Sequence, residues 1–267
     1  MRQMLPPGPL LFALLLFAAC TTLQAAEAST LERVQARGTL ILGTSGNMPS
    51  MSQSGSDGKV TGFDIDLARV MAGMMGVKLD IRVMPFSDLL PALETGTVDV
   101  VISNMTITPE RNLRVAFVGP YITSGKCMVT RDKALAAAEQ STDLNTPETS
   151  IAVLAGSTSE RFARELFPAA TVMTFDDYAK GAEMVLKDSA DGMLTDYPIC
   201  LATLKSHPDA GLVSVFSLLT YEPIGIALPA GDAQFINWTE NFLERMDGTH
   251  GLEEFGRRWF GEVKLSR

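Results

Sequence analysis

Arg111 ends a stretch that crowds polar groups together: Ser103, Asn104, Thr106 and Thr108, followed by Pro109 and Glu110. A guanidinium is planar and presents paired N–H groups, so it suits the two oxygens of a carboxylate better than any other side chain. The competing reading is a surface arginine behind a proline-capped turn, since many exposed arginines do no more than that. Asp196 ends a second run, Asp191 to Asp196, where its carboxylate either accepts an ammonium or simply caps the helix expected at 197–204. Ser157 and Thr158 stand at the expected start of another helix, where a hydroxyl and free backbone N–H groups bind an anion or where Thr158 only caps. Taken together, Arg111 and Asp196 match the two charged ends of an α-amino acid, and Thr106 adds a hydroxyl.

These residues need elements to position them. Val98–Ile102 is a short apolar run, rich in β-branched residues, that suits a fully buried strand. In open α/β sheets ligands bind at the carboxyl ends of the strands, where the cluster around Arg111 would lie. Strands are expected at 39–44 and 78–84, with a polar loop over 45–59 that embeds Met48 and Met51. Between them lies a helix opened by Asp64 as N-cap, with Leu67, Val70, Met71 and Met74 on one face. A short helix follows Pro85, and a strand is read from Arg114 to Val118. After Gly125 the pattern restarts, with strands at 127–130, 151–155, 171–175, 192–195 and 212–216. A helix opened by Gly156-Ser157-Thr158-Ser159 and running through Leu166, and helices at 176–186 and 197–204, alternate with them. A strand at 222–228 and helices at 235–246 and 252–260 close the chain. The alternation is that of an α/β protein.

The halves echo each other. LILGTS at 40–45 parallels AVLAGSTS at 152–159, and DVVISN at 99–104 parallels DGMLTD at 191–196. Two α/β lobes of similar plan are expected, with carboxyl strand ends facing one cleft and crossings near 121–128 and 219–226.

Composition narrows the function. The chain of 267 residues carries a net charge of −9 and no Lys/Arg cluster, which argues against nucleic acid and an anionic membrane surface as partners. Arg2 followed by the apolar run Leu10–Ala19 reads as an export signal. Two processing sites compete: Ala26-Glu27-Ala28, releasing a soluble product, and a lipobox-like Phe17-Ala18-Ala19-Cys20, anchoring the chain through Cys20; an uncleaved anchor is the third option. Cys127 and Cys200 then remain, either as one disulfide or as separate buried thiols. His207 and His250 are the only histidines and sit in turn-like contexts, so neither a cysteine nucleophile nor a metal site is expected, and no cofactor.

The blocks GFDIDLAR (62–69), DVVIS with TITPER (99–111), GPYITSG (119–125), VLAGSTSERF (153–162), ADGMLTD (190–196) and GLEEFGRRWFG (251–261) resemble the extracytoplasmic solute-binding proteins of polar amino-acid ABC transporters. The resemblance covers residues 31–261. It implies a two-lobed periplasmic-binding-protein fold, each lobe a doubly wound mixed sheet flanked by helices, closing on its ligand about two hinge crossings. Residues 1–28 would be the signal, 29–123 with 222–267 the first lobe, and 124–221 the second. By the same resemblance Arg111 holds the ligand carboxylate, Asp196 its ammonium, Thr106 and Asn104 add contacts from the first lobe, and Thr158 with Ser157 from the second. Phe86 matches an aromatic wall of the pocket. Where the family commonly has an aromatic over the ligand, this chain has Met48, so the side-chain pocket differs from the usual one. The implied setting is a periplasmic monomer that hands an amino acid or close analogue to an inner-membrane ABC permease. A free-standing component that presents ligand to a sensor is the second reading. Cyclohexadienyl dehydratases share the fold, but the members compared carry a carboxylate three residues beyond the Asp196 position. Here that residue is Ile199, which has no proton to offer.

Overall fold

The computed structural model describes residues 28–137, 142, 144–216 and 220–261. The expected export signal, with Cys20 and both processing sites, lies outside these residues except for residue 28. The chain opens with helix α1 (Thr30–Arg37), which has no counterpart among the expected elements. Its local signal is a capping box: the Ser29 hydroxyl accepts the Glu32 N–H while the Glu32 carboxylate accepts the Ser29 N–H.

The first half continues with β1 (Thr39–Thr44), β2 (Asn47–Met48), β3 (Ser52–Ser54), β4 (Val60–Thr61), α2 (Phe63–Met74), β5 (Lys78–Val83), a 3-10 turn at Phe86–Asp88, α3 (Leu89–Glu94), β6 (Val100–Val101), α4 (Pro109–Asn112) and β7 (Ala116–Ser124). Then come β8 (Lys126–Thr130), α5 (Lys133–Ala136), β9 (Ser150–Leu154), α6 (Thr158–Leu166), β10 (Thr171–Phe175), α7 (Tyr178–Leu186), β11 (Gly192–Asp196), α8 (Tyr197–Ser206) and β12 (Val213–Phe216). The chain finishes with β13 (Glu222–Leu228), α9 (Ala233–Gly248) and α10 (Gly251–Phe260).

Two five-stranded sheets share one plan. The first runs β5-β1-β6-β13-β7 and the second β10-β9-β11-β8-β12. In each, three parallel strands are followed by two antiparallel ones. The echoed segments occupy matching places: β1 with β9, and β6 with β11. Strands covered on both faces must be apolar throughout, and Leu40, Leu42, Val100, Val101, Ile151 and Val153 are all fully buried. The chain passes from the first sheet to the second at Gly125, between β7 and β8, and returns into β13. Because β13 pairs with β7, the passages are neighbours, with Glu222 opposite Ser124.

The structure corrects the sequence reading at several points. The stretch expected as a loop holds a small antiparallel sheet, β2-β3-β4, whose strands are too short to display a period. Asp64 is not the N-cap of α2; that position belongs to Gly62, at φ 140°, where a Cβ would lie 2.0 Å from the Met51 carbonyl oxygen. The Asp64 side chain instead turns inward and accepts the Asn104 N–H at 2.8 Å and the Tyr121 hydroxyl at 2.7 Å. The strand read from Arg114 begins at Ala116 and runs on to Ser124. Cys127 and Cys200, left open by the sequence, form a disulfide that ties β8 to α8.

Candidate functional site

Lys126 opens β8 and Asp196 ends β11, and the antiparallel register sets them directly opposite each other. Side chains so paired share one face of the sheet. The Lys126 ammonium donates to Asp196 Oδ1 at 2.6 Å and to Thr158 Oγ1 at 2.7 Å, and lies 3.2 Å from Glu222 Oε2. Glu222 is the first residue of β13, so it reaches the cluster from the first sheet. Its Oε2 also accepts the Thr106 hydroxyl at 2.9 Å and the Thr158 hydroxyl at 3.1 Å. Asn104, beyond β6, donates its amide to Asp196 Oδ2 at 3.1 Å. The Lys126 side chain is 1% exposed, and Asp196 and Glu222 are buried. Charges so far from water persist only when paired and hydrogen-bonded, as these are.

Arg111 is held beside this cluster. Its Nη1 donates to the Thr106 carbonyl at 2.8 Å and its Nη2 to the Gly156 carbonyl at 3.2 Å, one from each half of the fold. The Phe86 ring lies 5.5 Å from the guanidinium carbon, a cation–π distance. Burial lowers the Arg111 pKa to about 10, with Asp196 and Glu222 opposing that shift as nearby negative charges, so the group is cationic at neutral pH. A guanidinium has five N–H donors, and these two bonds leave three for a ligand. Gly156, at φ 74°, sits against the first half closely enough that a Cβ would meet Ser87 Cβ at 3.3 Å. A further pair joins the halves at the rim: Glu110 and Arg161 lie 2.9 Å apart, and hydrogen bonding from Arg161 holds the Glu110 pKa down to about 2. A pocket of about 440 Å³ opens there, lined by Arg111, Gly156, Thr158 and Arg161 among others.

The structure therefore brings together Arg111, Asp196, Thr106, Thr158, Asn104 and Phe86. Asp196 occupies the N-cap position of α8 but makes no side-chain capping bond, so capping is not its role. Ser157 is placed differently from the other candidates: it is the N-cap of α6, and its hydroxyl is engaged by the Leu154 carbonyl and the Glu160 N–H. Met48 packs with Met51 inside the hydrophobic core. Ile199, where an acid would be needed for elimination chemistry, is fully buried. Among the described residues no group of three His, Cys, Asp or Glu side chains is placed to hold a metal ion.

Lys126 and Glu222 were not singled out from the sequence. A signal was present: each is a lone charge at the head of an otherwise uncharged strand, KCMVT and EPIGIAL. A charge in such a strand needs a partner. Asn104 carries a second mark of function. It is a non-glycine residue at φ 45°, and its buried Oδ1 has no hydrogen-bond partner.

The sequence model for bacterial extracellular solute-binding proteins, family 3, matches residues 40–262. The L-cystine-binding protein TcyJ of Escherichia coli is 26% identical over 236 residues, covering 88% of both chains. Among solved structures, a putative ABC-transporter binding component from Wolinella succinogenes, complexed with lysine, is 36% identical with a TM-score of 0.81. It covers 85% of this chain and 97% of its own. An ancestral amino-acid-binding protein, a precursor of cyclohexadienyl dehydratase, is 36% identical with a TM-score of 0.80, covering 87% and 100%.

Proposed function

The chain belongs to the bacterial extracellular solute-binding proteins, family 3, and from that premise we propose that it captures an amino acid or close analogue between its two lobes and delivers it to an ABC permease. Arg111 receives the ligand carboxylate. Asp196, Thr158, Thr106 and Asn104 form the polar wall beside it, and Phe86 flanks the guanidinium. The observation that carries this reading is the placing of Arg111. It is anchored on carbonyls from both halves with donors to spare, so a carboxylate held there stabilises the closed arrangement of the lobes. A ligand shifts such an equilibrium only through contacts made in the favoured state, and Arg111 makes such contacts on both sides.

The lobes take residues 29–123 with 222–267 and residues 124–221, hinged where the chain passes at Gly125 and returns into Glu222. The protein works as an exported periplasmic monomer, and no helix among the described residues is long and apolar enough to cross a membrane. It is a carrier and not an enzyme: Ile199 supplies no acid or base, and Lys126 and both cleft carboxylates are engaged with one another. Presentation of the same ligand to a sensor uses the same cleft and differs only in the partner.

A thermal-shift screen of the mature protein against amino acids and their deaminated analogues tests the reading, because a ligand that binds only the folded state raises apparent stability by mass action. At least one small carboxylate should raise the midpoint in proportion to the logarithm of its concentration. A screen in which carboxylates shift nothing while prephenate or arogenate is turned over would replace the carrier with an enzyme.

A further inference from the structure

We propose that Lys126 sets the ligand class: its resident ammonium fills the position that a ligand's α-ammonium would take, so the cleft selects carboxylic acids with an oxygen at C2 over the matching α-amino acids. This rests on the carboxylate-binding role of Arg111. An ammonium has three donors, and Lys126 donates to Asp196 Oδ1 and Thr158 Oγ1 while its charge lies 3.2 Å from Glu222 Oε2. Those are the acceptors that would greet an incoming α-ammonium. Lys126 alone lies against both Asp196 and Glu222, so each of these carboxylates already has a cation in contact, and Arg111 is left for the ligand's carboxylate.

A second ammonium at Asp196 would lie within contact range of the first, where like charges repel strongly because little water screens them. Lys126 is also poorly placed to leave. Its stem is buried at the head of a wholly buried strand, and its N–H is bonded to Thr220 Oγ1 at 2.8 Å. A hydroxyl or carbonyl oxygen at C2 brings no charge, and it offers an acceptor to the third donor of the ammonium. Asn104 Oδ1, buried and unpartnered, offers an acceptor for a donated proton, which favours a 2-hydroxy acid over a 2-oxo acid.

The test uses matched sets of three: lactate, pyruvate and alanine; phenyllactate, phenylpyruvate and phenylalanine; 2-hydroxyglutarate, 2-oxoglutarate and glutamate. Calorimetry on the mature wild-type protein should show the C2-oxygen acid of one set binding at least tenfold more tightly than its amino acid. The double variant Lys126→Met/Glu222→Gln removes one cation and one anion together, keeping the charge balance that Lys126→Met alone would break, and leaves Asp196 without its cation, held only by the Asn104 amide. Its preference should move toward the amino acid by at least tenfold. Wild-type protein that takes an amino acid as tightly as its C2-oxygen partner overturns the inference and leaves the carrier function standing. An unchanged ratio in a folded double variant overturns it too. Failure of every carboxylate to bind removes both readings together.

Discussion

Replacing Arg111 with alanine removes the group on which the carboxylate reading depends. The guanidinium is fixed by two carbonyls and keeps three N–H donors, enough for a two-bond contact with a carboxylate. Hydrogen bonds to charged groups contribute about 1.5–3 kcal/mol each, so losing two of them costs about 3–6 kcal/mol of binding. At 1.36 kcal/mol per factor of ten, that is a loss of about 10²- to 10⁴-fold in affinity. Folding should suffer less, because the two lost carbonyl bonds, though charge-assisted, lie at a half-buried site where water takes their place, which brings their combined worth down to about 1–3 kcal/mol. Isothermal calorimetry at pH 7 with the best carboxylate from the screen measures the first effect, and urea unfolding measures the second. Arg111→Lys keeps the charge but loses the planar fork, so it should recover only part of the affinity. An Arg111→Ala protein that folds normally and binds within threefold of wild type would refute the assignment, because the other cations of the cleft among the described residues, Lys126, Arg161 and Arg164, each have a carboxylate partner.

Opening the Cys127–Cys200 disulfide, which closes a loop with a sequence separation of 73, should cost about 4 kcal/mol by the chain-entropy relation. Urea unfolding of the Cys127→Ala/Cys200→Ala variant reads this as a lower midpoint with a somewhat steeper slope, because the unbridged denatured chain exposes more surface. Ligand affinity should also weaken, since the bridge ties the strand headed by Lys126 to the helix that follows Asp196. Gly156→Ala places a methyl 3.3 Å from Ser87 Cβ and forces alanine to φ 74°; a local cost of about 1–2 kcal/mol is expected. Because that contact joins the two halves, affinity measured by calorimetry should fall about tenfold. Burial raises the Asp64 pKa to about 7 against its two hydrogen bonds. Between pH 4 and 7 the folded chain then holds a proton that the unfolded chain has released, so this contribution to stability is present at low pH and is lost as pH rises through 7. Unfolding midpoints at pH 5 and pH 8.5 should show that decline in wild type and a flatter profile in Asp64→Asn; equal slopes would contradict it.

Most of the elements were legible from local pattern. The apolar period of α2, the proline and glycine breaks around α3, and the short β-branched runs of β1, β6 and β9 are short-range features that each segment carries by itself. The pairing of echoed segments was legible too, because β1 with β9 and β6 with β11 repeat both composition and polar endings. Small-scale geometry escaped. The strands β2, β3 and β4 have two or three residues each, fewer than a period needs, and the true cap of α2 is marked only by a glycine that a close backbone approach requires.

The site divides in the same way. Arg111 and Asp196, as chemistry suited to an amino acid's two ends, follow from residue type and from their position after buried strands, which the sequence by itself determines. What only the tertiary structure decided is which charges meet. Lys126 and Asp196 are 70 residues apart and touch because β8 and β11 run antiparallel in one register. Glu222 joins them because the chain returns to the first sheet at that residue. Likewise Asp64 meets Tyr121 and Asn104, and Cys127 meets Cys200, through packing that no local pattern records. A helix or strand is chosen by neighbours a few residues away, whereas the partner of a buried charge is chosen by sheet order and crossing points. For that reason Asp196 reads from the sequence as a free acceptor for a ligand's ammonium, and in the folded protein it already holds one.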